Sequence, residues 1–188
     1  MCNQPWIRMD EFTNAADYLL RAEAFIREAE RDLMAWKWVV LALHGALYGF
    51  AVCFLDEGNV LNVIEGKRDK AEKRLKAGTA RVIGFWEAIR RAASLSAEQE
   101  KSVELLHDVF RNRLVHFLST GWSINACLMP QMAIDALEII KYLVGDWRVQ
   151  MHLGEQREEV EQAIDKGIEC IENSALYREA TGEAGEAR

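Results

Sequence analysis

Residues 96–117 read SAEQEKSVELLHDVFRNRLVHF. Ser96-Ala97-Glu98-Gln99 has the form of a capping box. The Ser96 hydroxyl can accept from an early backbone N–H, and the Gln99 side chain can reach back to the start of the helix. Val103, Leu106, Phe110, Leu114 and Phe117 come next, at steps of three, four, four and three. That spacing makes one buried stripe on an α-helix. The stretch predicts a long helix from Ser96 to about Ser119, where Thr120-Gly121 supplies a stop.

The flanking sequence repeats this helical pattern. From Glu11 to Arg31, Phe12, Ala16, Leu19, Leu20, Phe25 and Ile26 recur at helical spacing, an amphipathic helix. Asp32 to Leu55 is a second helix of another kind. Its last 18 residues, Trp38 to Leu55, carry no formal charge, and His44 is the ionisable group of note. Such a run reaches the rough threshold of ~18 residues for a membrane span. It also contains Gly45-x-x-x-Gly49, a spacing that lets helices approach closely. The run is solitary and its ends lack grouped Lys and Arg, so a central helix of a soluble bundle is the expected reading, with no membrane association. The glycines would then admit another helix, from this chain or a second subunit.

Asp56-Glu57-Gly58-Asn59 ends that helix. Val60 to Gly78 carries Lys67, Arg68, Lys70, Lys73, Arg74 and Lys76 against Glu65, Asp69 and Glu72. It reads as a solvated helix or loop, or as a patch that contacts phosphates; Lys67, Arg68, Lys73 and Arg74 are the candidate RNA-binding cations. Thr79 to Ala93 reads as a shorter helix with Val82, Ile83, Trp86 and Ile89 on one side. Asn125 to Pro130 is a connection, and Pro130 suits the first turn of a helix that runs to about Gly145. Gly154 precedes a last helix, Glu155 to Tyr177, with Val160, Ile164, Ile168 and Ile171 on one face. The tail 178–188 is polar and small, and disorder is expected there. The fold class is therefore all-α: an antiparallel bundle of five to six helices with short joints, one domain over residues 1–177.

Bulk properties narrow the function. Half of the 188 residues are hydrophobic and 28% are charged, an ordinary globular composition. Net charge is −7, and Glu155 to Arg188 alone holds ten acidic and four basic residues. The acidity argues against a general nucleic-acid coat but leaves room for a local basic site. Cys2, Cys53, Cys127 and Cys170 match no zinc framework and read as reduced thiols of a cytoplasmic protein. Met1 to Asp10 has no signal-peptide pattern. No Gly-rich phosphate loop or dinucleotide fingerprint occurs.

Chemistry concentrates at Arg111-Asn112-Arg113-Leu114-Val115-His116. Asp108, Asn112 and His116 are four residues apart and would share a helix face, with Arg111 beside them. An imidazole, with a reference pKa of ~6.5, moves protons near neutral pH. A guanidinium holds a phosphate through two parallel hydrogen bonds, and an amide can orient the imidazole or bind a phosphate oxygen. This set suits phosphoryl transfer without metal or cofactor, and in RNA the 2′-hydroxyl already supplies the nucleophile. The alternative is structural: Arg111 pairs with Asp108 one turn earlier and His116 makes a packing contact. Glu104-x-x-His107 has the spacing of a helical metal pair, but no second copy exists, so both read as surface residues. His44 reads as a core group with a hydrogen-bond partner, or as facing a dimer cleft near the motif. The tryptophans read as core or interface residues, or as a stacking platform for bases.

Arg-Asn followed by three residues and His, late in a long helix of an all-α domain, resembles the signature of the HEPN superfamily. The match is carried by Arg111, Asn112 and His116. The resemblance extends more loosely to the helical order and the very apolar second helix. It implies a metal-independent endoribonuclease, often a toxin or defence effector, working as a homodimer with two motifs in one cleft. His116 would be the general acid/base, Arg111 the phosphate clamp, Asn112 the orienting amide, and Arg113 a backbone contact. Products would carry a 2′,3′-cyclic phosphate and a 5′-hydroxyl, and an antitoxin or other regulator would be a further partner. HEPN domains without nuclease activity also occur, as modules that bind a nucleotide or a protein.

Overall fold

A computed structural model describes residues 7, 9–116 and 121–182. The structure is all-helical, and an isolated antiparallel bridge between Ile64 and Val82 is the extent of β pairing among those residues. The long elements are α1 (Glu11–Ala29), α2 (Trp36–Asp56), α7 (Met129–Val144) and α9 (Arg157–Glu172). Shorter ones are α3 (Arg68–Lys76), α4 (Phe85–Ala92), α5 (Ala97–Glu104), α6 (Asn112–Val115), α8 (Trp147–Leu153) and α10 (Ala175–Thr181).

The uncharged run becomes the centre. More than half of α2 is buried, and α1, α7 and α4 all pack against it. By length and hydropathy α2 is also the one described helix able to cross a membrane. Its two glycines are used within the chain. A Cβ on Gly49 would lie 2.8 Å from Ala15 Cβ, and one on Gly45 would lie 2.7 Å from the Tyr18 ring. The small residues thus let α1 approach α2 at close range.

The capping box at Ser96 forms as its residues require. Ser96 Oγ accepts from the Gln99 N–H at 3.2 Å, and the Ser96 N–H donates to Gln99 Oε1 at 3.1 Å. Val103, Leu106, Phe110 and Leu114 are all buried; Phe117 lies outside the described residues. Ser102 anchors this helix to α7 by donating to the buried Asp135, which also accepts from Gln131 at 2.8 Å.

Four expectations are corrected. The helix after Ser96 does not run unbroken to Ser119. α5 passes into a π-helical segment (Leu105–Arg111), α6 adds one turn, and His116 has left helical geometry at φ −113°, ψ 77°. A π segment places an extra residue in the turn and rotates the residues after it, and apolar spacing does not reveal this. The segment before Phe85 is extended, because the Ile83 N–H donates to the Val63 carbonyl and the Arg81 carbonyl accepts from the Glu65 N–H, which pairs Ile64 with Val82. A helix at Trp147–Leu153, capped by Asp146, lies where a joint was expected. The last helix is two, since Ser174 caps α10, and Arg178 to Thr181 are helical rather than a disordered tail; residues 183–188 lie outside the described set.

Candidate functional site

Three elements bring ionisable groups together that are far apart in sequence. α2 carries His44, α4 begins with Phe85, and the π segment carries His107, Asp108 and Arg111. His44 Nε2 and His107 Nδ1 are 2.8 Å apart. Their rings lie 5.0 Å apart with an interplanar angle of 11°, so the imidazoles meet edge to edge. Phe85 stacks over both, 4.1 Å from His107 and 4.6 Å from His44. Trp86 stands edge-on to His107, and its Nε1 donates to Asp108 Oδ2 at 3.0 Å. Arg90 covers the other side of Trp86, 4.9 Å from the ring.

The electrostatics of the pair follow from burial. Desolvation, then the His107 and Arg111 charges, lowers the His44 pKa to about 3. The His107 pKa is lowered too, chiefly by burial and also by Arg111, against an upward pull from Asp108. Both rings are therefore neutral at neutral pH. One nitrogen of the close pair donates and the other accepts, which fixes complementary tautomers.

Stability should therefore depend on pH. Each histidine has a folded pKa below its unfolded value, so the unfolded chain binds more protons on acidification. The stabilisation is whole above about pH 6.5 and is lost as pH falls from there towards the folded value. For His44 alone the loss between about pH 7.5 and about pH 5 is ~2 kcal/mol. Melting temperature measured across that range should fall on acidification, and His44→Gln should flatten the slope. An equal slope in both proteins would contradict the assignment.

The Arg111 environment bears on the two readings of the motif. Asp108 is engaged by Trp86 and does not pair with Arg111. Arg111 Nη1 instead donates to Asn112 Oδ1 at 3.0 Å, so the amide holds the guanidinium and not the imidazole. Among the described residues no carboxylate pairs with Arg111 or Arg113, nor with Arg31, Arg81 or Arg178, whereas Arg21, Arg27, Arg90, Arg91, Arg148 and Arg157 do pair. Arg113 is exposed, 5.7 Å from the Trp122 ring. His116 is exposed just past α6. Its N–H still bonds to the Asn112 carbonyl at 2.9 Å, so it closes the helix one turn after Asn112.

No protein-family model, curated protein or solved structure matches this chain.

The other candidates separate from the motif. Lys67 precedes α3, and Arg68, Lys73 and Arg74 lie on it, all exposed. Arg68 pairs with Glu72 at 3.5 Å and Arg74 with Glu65 at 3.8 Å, leaving Lys67 and Lys73 without a carboxylate among the described residues. α3 packs on the 3₁₀ turn Val60–Val63, not on the Arg111 helix. Glu104 is exposed as expected, whereas His107 is half-buried, with Phe85, His44 and Trp86 against its ring. No group of three or more His, Cys, Asp or Glu side chains assembles for a metal among the described residues. The His44–His107 contact was the feature hardest to foresee. Its partners are 63 residues apart, and the visible signals were an imidazole on an uncharged helix and a second one in Glu-x-x-His.

A cleft of about 570 Å³ lies between α1 and α9. Glu23, Glu30, Glu159 and Glu169 outnumber Arg27 and Lys166 in its lining, so it does not suit an anion.

Proposed function

We propose that this protein is a metal-independent endoribonuclease of HEPN type that cleaves RNA by 2′-hydroxyl attack. The reading is carried by one observation: the Arg111 guanidinium is oriented by Asn112 and has no carboxylate partner among the described residues. A guanidinium so placed can take a phosphate bidentately and offset the charge that develops on it. Exposed Arg113 and His116 come shortly after it in the chain, supplying a backbone contact and a proton-transfer group.

The wider features of this reading come from the resemblance. The helices form a HEPN-like bundle in a cytoplasmic homodimer, and two motifs share one cleft. Lys67, Arg68, Lys73 and Arg74 contact the RNA backbone away from the motif. The Arg68 and Arg74 surface pairs are weak enough to yield to phosphate. An antitoxin or other regulatory protein covers the site until it is needed.

The test is incubation with mixed cellular RNA in EDTA, beside Arg111→Ala and His116→Ala. Cleavage that both substitutions abolish is the expected result. Cleavage that neither alters would overturn the reading. RNA binding with no cleavage would favour the catalytically silent module that binds a nucleotide or protein partner.

A further inference from the structure

We propose that His107 is a second proton-transfer residue of the Arg111 site, with His44 as its positioning residue. This rests on the ribonuclease reading above. In-line attack on an RNA phosphate needs one group to take the 2′-proton and another to give a proton to the leaving 5′-oxygen. Each copy of the motif offers a single imidazole, His116, so within one subunit a second proton-transfer group must come from outside the motif. The structure brings a second to the same stretch. Along the chain the order is His107, Arg111, His116, with His107 four residues before the clamp and His116 five after it.

The geometry of His107 suits the part. It sits in the π segment four residues before Arg111, and such segments are frequent at functional sites. Its side chain is 20% exposed, so part of the ring meets solvent. His44 occupies the Nδ1 edge at 2.8 Å, which leaves Nε2 as the reactive edge. Phe85 on one face and Trp86 at the edge hold the ring in place. Asp108 Oδ1 lies 3.7 Å from Nε2, beyond a hydrogen bond but close enough to favour a proton that arrives there. Arg111 is near enough for its charge to depress the His107 pKa, which keeps the ring neutral before the reaction.

The protons balance. The Nδ1–H of neutral His107 hydrogen-bonds to His44 Nε2, with the proton staying on His107, so the His107 Nε2 lone pair is free. The 2′-oxygen attacks phosphorus while its proton passes to His107 Nε2. The O2′–P bond forms, the P–O5′ bond breaks, and the leaving 5′-oxygen takes a proton from His116. The products are a 2′,3′-cyclic phosphate and a 5′-hydroxyl, and exchange with water resets both imidazoles. The His44 hydrogen bond and the Asp108 carboxylate stabilise the imidazolium formed at His107.

The experiment compares wild type, His107→Gln and His44→Gln on a single-stranded RNA in EDTA from about pH 5 to about pH 8, with folding followed by circular dichroism. His107→Gln should lower kcat by about 10²–10⁴-fold with KM little changed, and should remove the ascending limb of the pH profile. His44→Gln should lower kcat and displace that limb, which loss of packing alone would not do. Should His107→Gln fail to fold, histidine NMR of wild type with a 2′-O-methyl dinucleotide decides: a shifted His107 resonance supports the inference. A shift at His116 without one at His107 overturns it. Cleavage lost in Arg111→Ala and His116→Ala but intact, with the wild-type pH profile, in His107→Gln would sink this inference and leave the ribonuclease reading standing. A wild-type protein that cuts no RNA would remove both.

Discussion

Arg111→Ala is expected to lower kcat/KM for RNA by about 10²–10³-fold, the usual effect of removing a group that meets charge developing in the transition state. The expectation rests on the contacts of Arg111. It donates to Asn112 Oδ1, on the neighbouring residue, so truncation should cost the fold little. Activity should fall while the melting temperature stays close to wild type. Arg111→Lys should recover only part of the loss, because an ammonium lacks the planar fork that grips two phosphate oxygens. The substitution to alanine also removes a charge that lowers the His44 and His107 pKa values, so both should titrate closer to the ordinary histidine range by NMR. Unchanged kcat/KM in a folded Arg111→Ala protein would show that the guanidinium is not the clamp.

Gly49→Leu is the substitution expected to damage the fold most. A Cβ at this position would stand 2.8 Å from Ala15 Cβ and 3.3 Å from Ala15 Cα, so backbone as well as side chain must yield. Ala15 is fully buried at the contact between the two helices, leaving no solvent side to escape into. Overfilling a core costs about 1–3 kcal/mol for modest insertions; four added carbons against backbone should cost about 3 kcal/mol or more. In a chain of this size that is a drop on the order of 10 °C in melting temperature. Gly45→Ala should cost less, since it meets the ring of Tyr18, which is 39% exposed and can swing aside. Calorimetry on both variants checks the order; equal melting temperatures would mean that α1 does not bear on α2 at Gly49.

Much of the scaffold was legible because local chemistry determines it. The Ser96–Gln99 box, the Val103–Leu114 stripe, the Pro130 helix start and the uncharged core helix each follow from spacing or capping within a few residues. The features that escaped the sequence depend on pairing across the chain or on the hydrogen-bond pattern within a helix. The π segment leaves no mark in apolar periodicity, yet it sets the backbone hydrogen bonding of the turns that carry His107, Asp108 and Arg111. The extended stretch before Phe85 exists because Glu65 and Ile83 find backbone partners in Arg81 and Val63. In the site, the Asn112 amide accepts from Arg111 rather than from an imidazole, and Asp108 turns to Trp86. The His44–His107 pair needed the fold, because imidazoles on α2 and the π segment meet only when those two elements pack together.

The proposed mechanism depends on the 2′-hydroxyl of the substrate, and that dependence can be measured. The protein is incubated in EDTA with a single-stranded RNA and with the same sequence carrying 2′-O-methyl at every sugar, and the ends are identified by mass spectrometry. Cleavage by 2′-hydroxyl attack at a metal-free site predicts that the first strand is cut to 2′,3′-cyclic phosphate and 5′-hydroxyl ends while the second stays intact. Equal cutting of both strands, or cutting that EDTA abolishes, would contradict it.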